Sequence, residues 1–132
     1  MNKIDELLKQ VEQADAIVVG GGSGMSNAAD MDFWYEASPL FLKHMQYYYD
    51  KYHFEGIFKG FYTRFDSQEE RWAYIIQMLD LVFNEPPQKQ TYEYLKKIVG
   101  NKPTHYITTN QDGLFKKYFG EDTVSEIQGS WF

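Results

Sequence analysis

The chain has no cysteine in its 132 residues, which excludes disulfides, thiol catalysis and cysteine-ligated zinc within it and leaves the redox compartment undetermined by cysteine alone. No apolar run approaches the roughly 20 residues that a membrane-spanning helix needs. Residues 1–16, MNKIDELLKQVEQADA, carry charges throughout and no apolar signal segment, so a cytoplasmic location away from membranes is expected. Basic charge is short as well. With 13 Lys and Arg against 19 Asp and Glu, the net charge is −6, and the scattered basic residues lack the electrostatic footprint of a nucleic-acid binder.

What is present suits a soluble globular protein. Apolar residues make up 43% and charged residues 24%, which argues against disorder. A chain of this length forms one domain at most and, once folded, buries about two thirds of its unfolded surface. The aromatic share is high at 18%, and much of it lies between Phe33 and Phe65. Rings packed into a core, or over a cleft, account for that density better than a base-stacking surface does.

The stretch AIVVGGGSGMSNAADMD, from Ala16 to Asp32, organises the rest. Ala16 to Val19 read as a short strand covered on both faces, because four apolar residues with β-branching show no alternation. Gly20, Gly21, Gly22 and Gly24 then end it. A helix begun by Ser23 to Asn27 would aim free N–H groups at the loop, and the glycines would admit an anion without Cβ clashes. The dinucleotide spacing G-x-G-x-x-G is met only in part, with Asn27 at the third glycine. A glycine-rich strand-to-helix turn without a ligand is the competing reading.

Around this loop the chain alternates helices and strands. Ile4, Leu7, Leu8 and Val11 mark an amphipathic first helix. Ser38 and Pro39 offer an N-cap and first turn for a helix toward Tyr49, with Phe41, Leu42, Met45, Tyr48 and Tyr49 on its apolar face. Gly56 and Gly60 break the aromatic stretch into loops or short turns. Ser67 to Glu70 is a capping-box pattern ahead of a stripe of Trp72, Ile75, Ile76, Leu79 and Phe83. Asn84 to Pro87 ends that helix, and Tyr92, Leu95, Ile98 and Val99 form the face of another, closed by Gly100. Thr104 to Thr109 reads as an inner strand, Leu114 to Phe119 as a short helix and Thr123 to Ile127 as a third strand.

Strands separated by helices imply a parallel α/β sheet, whose ligands bind at the carboxyl ends of the strands. Gly20 to Ser26, Asn110 to Gly113 and Gln128 to Ser130 each follow a strand directly. Strands 16–19, 104–108 and 123–127 should therefore end on one edge, with Gly22, Asn110 and Gln128 facing one crevice.

These same segments resemble the sirtuin family. Thr109-Asn110-Gln111-Asp112-Gly113-Leu114 resembles its T-Q-N-I-D-G-L-H segment, Val124-Ser125-Glu126-Ile127-Gln128-Gly129-Ser130 its V-x-E-L-H-G-S, and Gly22-Ser23-Gly24-Met25-Ser26 its G-A-G-x-S. Order and approximate spacing agree over nearly the whole chain. The resemblance implies a partial Rossmann-like α/β fold, flanked by helices, that uses NAD. It implies Gly22, Ser23, Gly24, Ser26, Asn27, Phe33, Thr109, Asn110, Gln111, Asp112 and Gln128 at the dinucleotide, with Asn110, Asp112 and Gln128 at the catalytic positions. Asn110 and Asp112 match the residues that hold nicotinamide and its ribose for cleavage of the glycosidic bond.

Departures from the family pattern narrow the activity. The family's G-I-P-D-F-R segment is matched only by Asp32-Phe33 after a one-residue deletion, without the Arg. Its catalytic His is replaced by Gln128, and a primary amide cannot accept a proton near neutral pH, so the base of lysine deacetylation is missing. His44, His53 and His105 lie outside the matching motifs, and no metal ligands are indicated. Gln at this position, with the extra glycines 20 and 21, resembles the macrodomain-linked microbial branch, which implies transfer of ADP-ribose to an acceptor protein carrying a lipoyl group.

The resemblance ends at residue 132, ahead of the family's zinc module and remaining Rossmann strands. The expectation is a single, truncated sirtuin-like domain over 1–132, arising from a shortened gene product, a split protein or a cut piece, weak or inactive toward NAD by itself and prone to self-association. A non-catalytic remnant or interaction module of a deacetylase-type sirtuin is the alternative, and an unrelated flavodoxin-like nucleotide binder a third.

Overall fold

The computed structural model describes residues 2–131, which divide into two compact units, one built from the residues up to Ala29 together with those from Lys89 onward and the other from Asp30–Gln88. In the first unit Asn2 opens helix α1 (Lys3–Gln13), its side chain accepting bonds from the Ile4 and Asp5 N–H groups while its own N–H donates to the Asp5 carboxylate. This reciprocal cap satisfies donors that helical bonding leaves free. Three parallel strands follow in chain order, β1 (Ile17–Gly21), β2 (Thr104–Thr108) and β3 (Val124–Glu126), and they lie side by side as β1-β2-β3. Val19 aligns with Tyr106, and Tyr106 with Val124. Helices α2 (Ser23–Ala28), α6 (Thr91–Val99) and α7 (Leu114–Phe119) flank this sheet. The expected partial Rossmann-like α/β arrangement is therefore present.

One face of the sheet holds the unit's core. Tyr106 stacks on Phe119 with ring centroids 3.9 Å apart, and Phe115 packs edge-on against Tyr92 at 5.7 Å. Gly21 makes this packing possible, because a Cβ there would lie 2.5 Å from the Phe115 ring and 3.1 Å from Met25. Several expectations need correction. β1 runs on through Gly20 and Gly21, so the loop begins at Gly22. Nor is β1 covered on both faces: Val18 is 69% exposed, and His105 and Ile107 beside it are also open to solvent. Apolar runs do not reveal how many layers cover a sheet. α1 likewise leaves Ile4, Leu7 and Leu8 exposed. β3 is shorter than expected, because Thr123 belongs to a 3-10 turn over 121–123 and Ile127 to the turn that follows the strand.

The second unit contains α3 (Pro39–Tyr52), α4 (Ile57–Gly60) and α5 (Gln68–Asn84). Ser38 caps α3 by accepting from the Phe41 N–H at 3.1 Å, and Phe41, Met45 and Tyr48 point inward as expected. Its core is aromatic: Tyr74 meets Tyr48 at 5.2 Å, Phe54 at 5.7 Å and Phe65 at 5.2 Å. α5 buries Tyr74, Met78, Leu81 and Val82, whereas Trp72 and Ile76 of the expected stripe are exposed. Gly60 accommodates the buried face, because its missing side chain leaves the seat that the Tyr74 ring occupies. Among the described residues no helix is long and apolar enough to cross a membrane.

Candidate functional site

Each strand of a parallel sheet delivers its following loop to the same edge, and the hydrogen bonds there join loops far apart in sequence. The Asn110 side-chain amide donates to the Gly22 carbonyl at 2.9 Å and approaches the Ser26 hydroxyl at 3.2 Å. Ser26 in turn donates to Asp112 Oδ2 at 2.7 Å, and the Leu114 N–H donates to Asp112 Oδ1 at 3.1 Å. The third segment joins through Gln111, whose amide donates to the Gln128 carbonyl at 2.8 Å. Gly22, Ser26, Asn110, Gln111, Asp112 and Gln128 are thus brought together.

The cluster has a dry floor and a wet rim. Asp112 is only 6% exposed, and Ser26 and Thr108 are buried with it. Burial is the first cause raising the Asp112 carboxyl above its usual range, and the Glu126 carboxylate adds to this, while the bonds from Ser26 and Leu114 oppose it. At the rim Ser23, Gly24, Asn27, Thr109 and Gln128 are exposed. α2 is a short helix of six residues that begins immediately after Gly22. Asn110 keeps its carbonyl oxygen free of any bond among the described residues, which leaves an acceptor at the rim able to receive an amide donor.

Residues not named as site candidates also shape the site. Thr108 Oγ1 accepts from the Asn110 N–H at 3.0 Å and turns the chain after β2. A Thr ahead of an Asx-rich turn is the sequence signal for that bond. Tyr92 is fully buried, and its hydroxyl lies near Ser26 with no well-aligned hydrogen bond among the described residues. Nothing in its helical spacing showed that its polar end faces the cluster. The Glu126 side chain is buried at the end of β3 with Lys116 Nζ 2.9 Å from Oε2, yet neither oxygen receives a well-aligned hydrogen bond among the described residues.

The remaining candidates lie elsewhere in the chain's organisation. Phe33 belongs to the second unit, where it is buried against Trp34 at 5.6 Å and its carbonyl accepts from the Ile57 N–H. His44 pairs with Glu85 at 2.8 Å in that unit, and His105 meets Ser125 at 2.9 Å on the open face of the sheet. Among the described residues no group of three or more His, Asp or Glu is placed to hold a metal ion.

No protein-family model matches the chain. A protein named protein ADP-ribosyltransferase, from Staphylococcus aureus (strain Mu50), is 34% identical over 136 residues, which cover 97% of this chain and 42% of that protein. The chain therefore spans less than half the length of that relative and is similar, through almost all of its own length, to a protein ADP-ribosyltransferase.

Proposed function

We propose that this chain forms the glycine-loop portion of a sirtuin-like, NAD-dependent protein ADP-ribosyltransferase. The observation carrying this reading is the cluster in which Asn110 binds both the Gly22 carbonyl and Ser26, and Ser26 binds Asp112. The staphylococcal relative's name supports the transferase class. NAD would supply an electrophilic ribose carbon: its bond to nicotinamide breaks with the electron pair leaving on nicotinamide, and a bond from the acceptor's nucleophile forms as that nucleophile releases its proton to solvent.

The chain's own residues would orient this exchange. Asn110 presents its free carbonyl oxygen to the nicotinamide carboxamide while its amino group is anchored on Gly22 and Ser26. Asp112, buried and already accepting two bonds, positions Ser26 and through it Asn110. Gln128 cannot take a proton from a ribose hydroxyl, so the deacetylation route has no base at that position. Beyond its chain neighbours and own helix backbone, no atom of the described residues lies within 4 Å of where a Gly24 Cβ would stand, leaving room at the loop for a pyrophosphate. The substrates on this reading are NAD and an acceptor protein, a lipoylated one being the first to try.

A second reading, a non-catalytic interaction module, is favoured by the open sheet face at Val18 and Ile107 and by the exposed stripe of α1. Replacing the matching segment of the staphylococcal relative with this chain separates the two. On the transferase reading the chimera releases nicotinamide and labels an acceptor from NAD. A chimera that folds and leaves NAD intact supports the module instead.

A further inference from the structure

The aromatic density between Phe33 and Phe65 is only partly spent on the core. Four rings, Trp34, Tyr35, Phe58 and Tyr62, line a surface cleft of about 460 Å³ in the second unit together with His53, Glu55 and Lys59. Tyr35 is 62% and Tyr62 79% exposed, although rings of this size are ordinarily buried. They also form a row. Tyr35 lies 5.4 Å from Phe58, and Phe58 5.7 Å from Tyr62.

The backbone beneath holds this row outward. The Ile57 N–H donates to the Phe33 carbonyl at 2.9 Å and the Phe58 N–H to the Trp34 carbonyl at 3.0 Å. Gly56 permits that approach: its φ is +94°, and a Cβ would stand 2.6 Å from the Trp34 carbonyl oxygen. The rings are thus displayed by a fixed scaffold. Contiguous exposed apolar surface of this kind marks an interaction site more often than isolated exposed rings do.

We infer that this cleft receives a lysine side chain of the acceptor protein, its aliphatic stem laid along Tyr35, Phe58 and Tyr62 and its ammonium directed at the ring faces and the Glu55 carboxylate. Ring faces carry negative quadrupole charge and attract an ammonium group. Glu55 makes no ion pair among the described residues, which leaves its carboxylate available to an ammonium group, while Lys59 and His53 line the same cleft. The net charge of −6 adds long-range attraction for a basic partner. Because Tyr35 and Tyr62 are so exposed, the cleft is an open trough, suited to a side chain arriving on a protein surface. Lys59, likewise without an ion pair among the described residues, can donate to the partner's main-chain carbonyls.

That the lysine belongs to an ADP-ribose acceptor rests on the function proposed above. Lysine binding itself does not, and it is read without NAD, so either idea can fail by itself. The 132-residue chain is titrated with the capped peptide Gly-Gly-Lys-Gly-Gly and with its norleucine counterpart, following the ring resonances by NMR. The lysine peptide should shift Trp34, Tyr35, Phe58 and Tyr62 and bind about two- to fivefold more tightly than norleucine, the range expected of an exposed cation–π site. Glu55→Gln should narrow that preference, and Tyr62→Ala should weaken the lysine peptide; both positions are exposed, so an unchanged resonance pattern elsewhere verifies the fold. Equal binding of the two peptides, or no ring shift at millimolar peptide, overturns the proposal.

Discussion

Ser26 donates its hydroxyl to Asp112 Oδ2 at 2.7 Å across 86 positions of sequence, and this bond ties the glycine loop to the turn after β2. Both groups are buried, so no water stands ready to replace either partner. Ser26→Ala should therefore lower unfolding stability by about 1–3 kcal/mol, the range for leaving a buried acceptor short of a donor. Urea denaturation measures it. A change within error would mean that Asp112 finds another donor.

Asp112 also sets a pH dependence. Burial raises its carboxyl above the ordinary aspartate range, so the folded chain keeps this proton at pH values where the unfolded chain has released it. Its contribution to stability is fully present below the unfolded value and is lost as pH rises through the raised folded value. Asp112→Asn does not titrate, so the variant should gain stability relative to the parent as pH rises across that window. A stability difference constant with pH would contradict the assignment.

Gly56 supports the aromatic surface of the second unit. Its φ of +94° is unfavourable for any side chain, and a Cβ would meet backbone, the Trp34 carbonyl oxygen at 2.6 Å, which cannot move aside as a side chain would. Gly56→Ala should destabilise by about 2–5 kcal/mol, combining conformational strain with the clash. Gly24→Ala, with nothing within 4 Å of its Cβ, serves as the control and should be close to neutral. Thermal melts of both variants make the comparison.

How far the sequence spoke for the structure depends on whether the signal was local. Ser38-Pro39 fixed the start of α3, and its inward face was legible in Phe41, Met45 and Tyr48 because caps and periodicity act within one helix. α5 shows the limit. Its apolar positions offer two overlapping stripes, and the one buried, Tyr74, Met78, Leu81 and Val82, is set by tertiary packing that includes the seat Gly60 leaves for Tyr74. The strand-end segments around Gly22, Asn110 and Gln128 could be expected to converge, since parallel strands deliver their loops to one edge. The hydroxyl of Tyr92 near the cluster was not legible, because helical spacing orders side chains by face and not by the reach of a polar tip.

The uncovered sheet face gives a further expectation. Val18, Ile107 and Ile127 are exposed and apolar, and β1 and β3 each have an edge without a partner among the described residues. At tens of micromolar the chain should self-associate, and Val18→Lys combined with Ile127→Lys should shift it toward monomer. Light scattering distinguishes the two. A parent chain that stays monomeric at that concentration would contradict the expectation.

The central claim is that Asn110 orients NAD for transfer to protein and that Gln128 leaves deacetylation without its base. It is tested most directly in the chimera built on the staphylococcal relative, by measuring transfer of labelled ADP-ribose to an acceptor protein beside deacetylation of an acetyl-lysine peptide. Transfer should be detectable and abolished by Asn110→Ala, a loss of at least about a hundredfold if positioning carries the step, with deacetylation negligible throughout. Robust NAD-dependent deacetylation, or transfer undiminished in Asn110→Ala, would contradict the account.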